Sequence, residues 1–143
     1  MTARNVSYWI TTGLVAFAFA FGGVADLART PDMMAGMSHL GYPVYLASLL
    51  GLWKVLGAVA VLAPGNARLK EWAYAGMFFD LTGAAYSHAS SGDPLGKILT
   101  PLILLGIVVA SWALRSGTRA LPREAQPESA PAIGRGELAS AKG

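Results

Sequence analysis

The sequence has no cysteine. That excludes a structural disulfide, a thiol redox couple and any thiolate-held metal or iron–sulfur cluster. Charge is also scarce: Asp, Glu, Lys and Arg make up 13% of the 143 residues, about half the share usual in a soluble domain. Histidine occurs twice, as His39 and His88 with no ligand motif between them, so neither a metal nor a haem is expected. An internal repeat and a phosphate-cradling glycine loop are missing too. The basic residues flank apolar runs and are not interleaved with exposed aromatics, which removes nucleic acid as a partner.

What fills the space is hydrocarbon. Hydrophobic residues account for 54% of the chain, and they gather in four blocks, at about 8–27, 42–62, 72–88 and 97–114. Roughly 20 helical residues cross a hydrocarbon layer about 30 Å thick, so each block predicts a transmembrane helix. The expected fold is all-α: a four-transmembrane-helix bundle over residues 1–116. The first block, with Arg4 before it and Gly23-Val24-Ala25 near its end, also has the layout of a secretory signal, although it is long for a signal core. Asp93-Pro94 reads as a cap and first residue of the fourth helix, which Pro101 should bend.

Between the first two blocks, Thr30-Pro31-Asp32 is a helix-start signal, Met33, Met34, Met37 and Leu40 follow at helical spacing, and Gly41 is a stop. A short amphipathic helix on the outer membrane surface is expected there. Residues 117–143 are Ala, Pro, Gly, Ser, Arg and Glu with almost no large apolar side chain, so a disordered tail is expected. Arg4, Arg68, Lys70, Arg115, Arg119 and Arg123 fall on one side if the blocks alternate direction, against Arg29 and Lys97 on the other. Positive residues stay inside. The expectation is therefore a multi-pass protein of the cell membrane with cytoplasmic termini.

The informative residues are those a bilayer should exclude. A charge at mid-span costs on the order of 3 kcal/mol on insertion scales and implies a partner, a wet cavity or a function. Lys54 in the second block and Asp80 in the third each lie about 12 Å from the same interface at 1.5 Å per residue, on spans joined by a short Pro-Gly connection. An ion pair between them is expected. Each charge sits in a row of small residues, Ala47, Gly51 and Ala58 on one span and Ala73, Gly76, Gly83 and Ser87 on the other, as expected where helix backbones approach closely. A second polar group, Asp26, His39, Ser87 and His88, should meet at the outer mouth. It would serve as a proton-exchanging entrance, as a hold for a quinone headgroup, or simply as wetted interfacial side chains. For Lys54 and Asp80 the bland alternative is an ion pair that fixes helix register without chemistry.

The stretches Leu40-Gly41-Tyr42-Pro43, Gly51-Leu52-Trp53-Lys54 with Gly57, and Leu69-Lys70-Glu71-Trp72-Ala73-Tyr74-Ala75-Gly76 resemble the DoxX-like family of small membrane proteins. The likeness continues through Phe79-Asp80, Gly83-Ala84, Ser87-His88 and Gly92-Asp93, and covers about residues 7–115. It implies a four-helix membrane protein of the DoxX superfamily, whose namesake is associated with a thiosulfate:quinone oxidoreductase. A membrane accessory or subunit of a quinone-linked redox system, working with a soluble redox enzyme and a quinone cofactor, is the role it implies. Two other roles stay open: a small proton-coupled transporter, whose four spans make only a small pore unless subunits associate as a homo-oligomer, and a non-catalytic membrane scaffold.

Overall fold

A computed structural model describes residues 2–115, in five helices: α1 (Ala3–Leu27), α2 (Pro31–His39), α3 (Val44–Leu62), α4 (Ala67–Ser90) and α5 (Leu95–Leu114). The tail expected at 117–143 lies outside the described residues. Three helices, α1, α3 and α5, are long and apolar enough to cross a membrane. The expected third span, 72–88, lies within α4, which falls short of that measure because Asp80 and His88 and the weakly polar Trp72, Tyr74, Tyr86 and Ser87 dilute its apolar residues. At 1.5 Å per residue, α4 is nonetheless as long as its neighbours.

The helices form one bundle in which α1 packs on α3 and α5, and α4 packs on α5 and α3. Val15, Ala16 and Phe19 of α1 meet Ala58 and Val61 of α3, Tyr74, Met77 and Leu81 of α4, and Val108 of α5 in the core. The outside is apolar as well: Phe17, Phe21, Trp53, Trp72, Phe79 and Ile103 are among the most exposed side chains. A surface of bulky apolar groups is the reverse of a water-facing one and suits lipid as solvent. In lipid, apolar burial drives little association, so close packing and buried hydrogen bonds must hold the helices together.

Two such devices stand out. Between α1 and α3, Gly23 and Gly51 lie back to back, so that a Cβ built on Gly23 would come within 2.8 Å of the Gly51 carbonyl oxygen and one on Gly51 within 2.7 Å of the Gly23 oxygen. Toward the ends of the helices that carry Arg4 and Arg115, the Ser111 hydroxyl lies 2.7 Å from both the Thr12 and the Tyr74 hydroxyls, tying α1, α4 and α5 through a fully buried string. Arg115 lies over the Tyr74 ring, 4.9 Å from its centre, and pairs with Glu71, which also accepts from the Trp112 indole.

The connections follow from local chemistry. Thr30 precedes α2, with Pro31 at its first position, and the chain leaves α2 through Gly41 at φ 75°. Asn66 Oδ1 accepts from Leu69 N and so caps α4. The Lys70 ammonium folds back to donate to the Ala60 and Val61 carbonyls in the last turn of α3, where cationic groups are favoured. α5 begins at Leu95 with Pro94 as its cap; Asp93 does not cap it with its side chain, because that carboxylate is engaged elsewhere.

Candidate functional site

The close contact of Gly23 with Gly51 has a consequence three residues on, at Asp26 and Lys54. Asp26, at the end of α1 and 1% exposed, is pressed against α3, where Lys54 Nζ donates to its Oδ2 at 2.9 Å. Asp80 Oδ2 lies 4.0 Å from the same ammonium. Lys54 therefore stands between two carboxylates from two other helices, and its shorter contact is with Asp26. The expected Lys54 and Asp80 pairing is thus present only as the longer arm of a triad. The side chains of Lys54 and Asp80 are 21% and 19% exposed, against 2% for Asp26, so one carboxylate is locked and the other faces open space.

That space lies between α3 and α4. The two glycines of the α4 stripe that read as close-packing meet nothing: a Cβ on Gly76 or on Gly83 would have no neighbour within 4 Å. They hold the cleft open instead. Toward α2 is a cavity of about 380 Å³ whose lining includes Asp26, Lys54, Asp80, Ser87, His88 and Met37. Toward the opposite end is a second of about 560 Å³, lined by apolar groups such as Trp53, Leu56, Trp72 and Phe79, again with Lys54 and Asp80. The two charged residues are shared by both cavities, at the waist between them.

Of the group expected at the mouth, Asp26, Ser87 and His88 line the first cavity, and His39 does not. Asp26 turns down to Lys54 rather than out to the histidines. Ser87 accepts a hydrogen bond from the Tyr42 hydroxyl and donates to the Gly83 carbonyl. The two histidines meet through Asp93, a residue that sequence spacing assigned to a helix cap: His88 Nδ1 is 2.7 Å from Asp93 Oδ2, and His39 Nε2 is 2.9 and 3.0 Å from the two oxygens. Lys97 adds a longer contact at 3.4 Å. With its side chain 5% exposed, Asp93 is pulled down from the usual 3.8 to about 2, chiefly by the hydrogen bond from His88 and further by His39 and Lys97.

Among the described residues, no group of three or more His, Asp or Glu side chains is arranged to hold a metal ion, and no buried side-chain nitrogen or oxygen lacks a partner. Asp80 and His88 are titratable groups in the wall of the first cavity, and the Lys54 ammonium is a donor beside them. The arrangement suits a molecule with oxygen atoms on an apolar frame.

Residues 10–111 match the DoxX-like family. The chain belongs to that family. It is a multi-pass integral membrane protein, and Lys54, midway along the apolar α3 helix, is an intramembrane charge. The DoxX-like chain is also 29% identical, over 116 residues, to a phosphatidylglycerol–prolipoprotein diacylglyceryl transferase of Paramagnetospirillum magneticum. That alignment covers 74% of this chain and 41% of the relative, so the chain spans well under half of that protein's length. No solved structure matches it.

Proposed function

We propose that this DoxX-like protein crosses the membrane four times, with both termini in the cytoplasm, and receives a quinone between α3 and α4 as the membrane component of a redox system. The fourth crossing is α4, whose charges sit at its ends or face the cleft. The observation that supports the function is the shared waist. Lys54 and Asp80 line both cavities, with a chamber that also carries Asp26, Ser87 and His88 on one side and a more apolar groove on the other. A quinone ring fits the first and its isoprenoid tail the second. Depth favours it over a phospholipid, because an uncharged ring tolerates mid-bilayer surroundings that exclude a charged headgroup.

In this reading Lys54 donates to one quinone oxygen and Asp80 and His88 pass protons. Reduction takes two electrons and two protons per quinone; the electrons come from a soluble redox enzyme docked on the membrane, and the protons return through the α2 side. Neither a thiol nor a cluster on this chain takes part, since it has no cysteine.

The test is to purify the chain in native-lipid discs and identify what extracts with it. A quinone near one per chain in wild type and absent from Asp80→Asn is the expected result. Repeated absence of any quinone, with no binding of added quinone, overturns it. Enrichment of a phospholipid instead would favour a second reading, lipid handling, to which the relative named for phosphatidylglycerol lends support. Proton flux in vesicles that disappears in Asp80→Asn, without bound quinone, would favour a transporter.

A further inference from the structure

The roof of the first cavity is a single short helix that the bundle barely holds. Met33, Gly36, Met37 and Leu40 of the α2 region line that cavity, yet no residue of α2 is buried. Both flanks of the helix have left-handed backbone: Arg29 at φ 51° before it and Gly41 at φ 75° after it. Glycine adopts this freely, whereas arginine does so against the clash of its Cβ with the backbone. Arg29 is fixed there by its guanidinium, which donates to the Ser48 hydroxyl of α3 at 3.2 and 3.3 Å. The helix is thus suspended between two sharp turns, and one of them is pinned to the neighbouring helix.

Its free end is fastened by a side chain. His39, the last residue of α2, reaches the Asp93 carboxylate in the α4–α5 connection, and that carboxylate is held in place from α4 by His88 and from α5 by Lys97. The bond therefore bridges the cleft, joining the α2 side of the cavity to the α4 side. Below it lie the Asp26, Lys54 and Asp80 charges.

We propose that α2 is a lid over the chamber, turning on Arg29 and Gly41 and latched by His39 on Asp93. This rests on the assignment of that chamber as a ligand site. Closed, it separates the intramembrane charges from the aqueous phase; unlatched, it admits water, protons and polar solutes to Asp80. His88 has two duties, holding the latch through Nδ1 and facing the guest with the rest of its ring.

The absence of native cysteine makes a direct test simple. Ala84→Cys places a single thiol in the chamber wall, and Ala89→Cys places one on the exposed end of α4 as a control. In lipid discs, both are reacted with a charged maleimide, with and without His39→Ala. Loss of a hydrogen bond to an ionised carboxylate should speed labelling of Ala84→Cys about tenfold and leave Ala89→Cys unchanged, and His39→Gln, which keeps an N–H donor, should restore most of the protection. Equal rates at Ala84→Cys with and without His39 overturn the lid. Equal acceleration of both thiols also overturns it, as general loosening. No quinone is needed for the reaction, so a failed lid leaves the quinone assignment standing and a failed quinone assignment leaves the labelling result intact.

Discussion

Asp26 and Lys54 come within 2.9 Å of each other because Gly23 and Gly51, one turn away, let the α1 and α3 backbones touch. The ion pair and the glycine contact are one structure. Placing a methyl at either glycine drives it into a carbonyl, so the helices must part and the carboxylate must leave the ammonium.

Gly51→Ala should therefore lose about 1–3 kcal/mol of stability, the usual cost of overpacking, read by denaturant titration in mixed micelles. Gly83→Ala, which meets nothing within 4 Å, should match the wild type or exceed it. Equal losses at both positions would contradict the assignment of the two glycines to contact and to open space.

The two carboxylates around Lys54 should separate by role. Asp26→Asn removes the closely bonded, almost fully buried partner and should cost about 3–5 kcal/mol, the loss seen when one member of a buried pair is removed. Asp80→Asn, at 4.0 Å and facing the cleft, should cost clearly less stability than Asp26→Asn while abolishing quinone retention. If Asp80→Asn unfolds the protein as readily as Asp26→Asn does, Asp80 is a structural residue.

Acid sensitivity should report Asp93. Its carboxyl is held near 2 in the folded chain against an ordinary 3.8, so the folded state favours the ionised form. The stability this contributes is complete above about pH 4 and is lost as pH falls toward 2. Unfolding of wild type and Asp93→Asn, followed between pH 5 and 2, should show the wild-type advantage shrinking across that window. A constant difference would mean that Asp93 is not bonded as described.

The buried hydroxyl string makes a further prediction. Ser111 is bonded to both Thr12 and Tyr74, so Ser111→Ala strands two hydroxyls, whereas Tyr74→Phe or Thr12→Val leaves Ser111 bonded to the remaining partner and strands none. Each stranded group costs about 1–3 kcal/mol, and the order of thermal midpoints should follow. The triple apolar variant should recover much of the loss of Ser111→Ala alone, since no orphaned hydroxyl remains.

The helices are legible in the sequence because composition alone shows them. The α2 boundaries are legible as well, since Thr30-Pro31 and Gly41 punctuate the chain. Partnership among the polar residues is not legible to the same degree. Depth arguments place Lys54 level with Asp80, but depth does not give rotation about a helix axis, and rotation gave Lys54 its shorter contact with Asp26. A row of small residues is equally ambiguous: on α3 it marks a touching backbone at Gly51, and on α4 it marks emptiness at Gly76 and Gly83. Asp93 escaped notice because an Asp before a proline has a sufficient local explanation as a cap. The Thr12, Ser111 and Tyr74 cluster brings together residues as many as 99 positions apart, and nothing near any of them in the chain announces the others.

The Lys70 ammonium at the base of α3 and the Tyr42 and Ser87 hydroxyls at its top clasp the long slot at both extremities, while the Lys54–Asp80 contact across its middle is the looser one at 4.0 Å. Such a slot widens by bowing, as a split reed does, and its ends do not come apart. Under the quinone assignment, a guest arriving sideways from the surrounding fat has only that looser contact to part, and the end fastenings keep the hairpin in register.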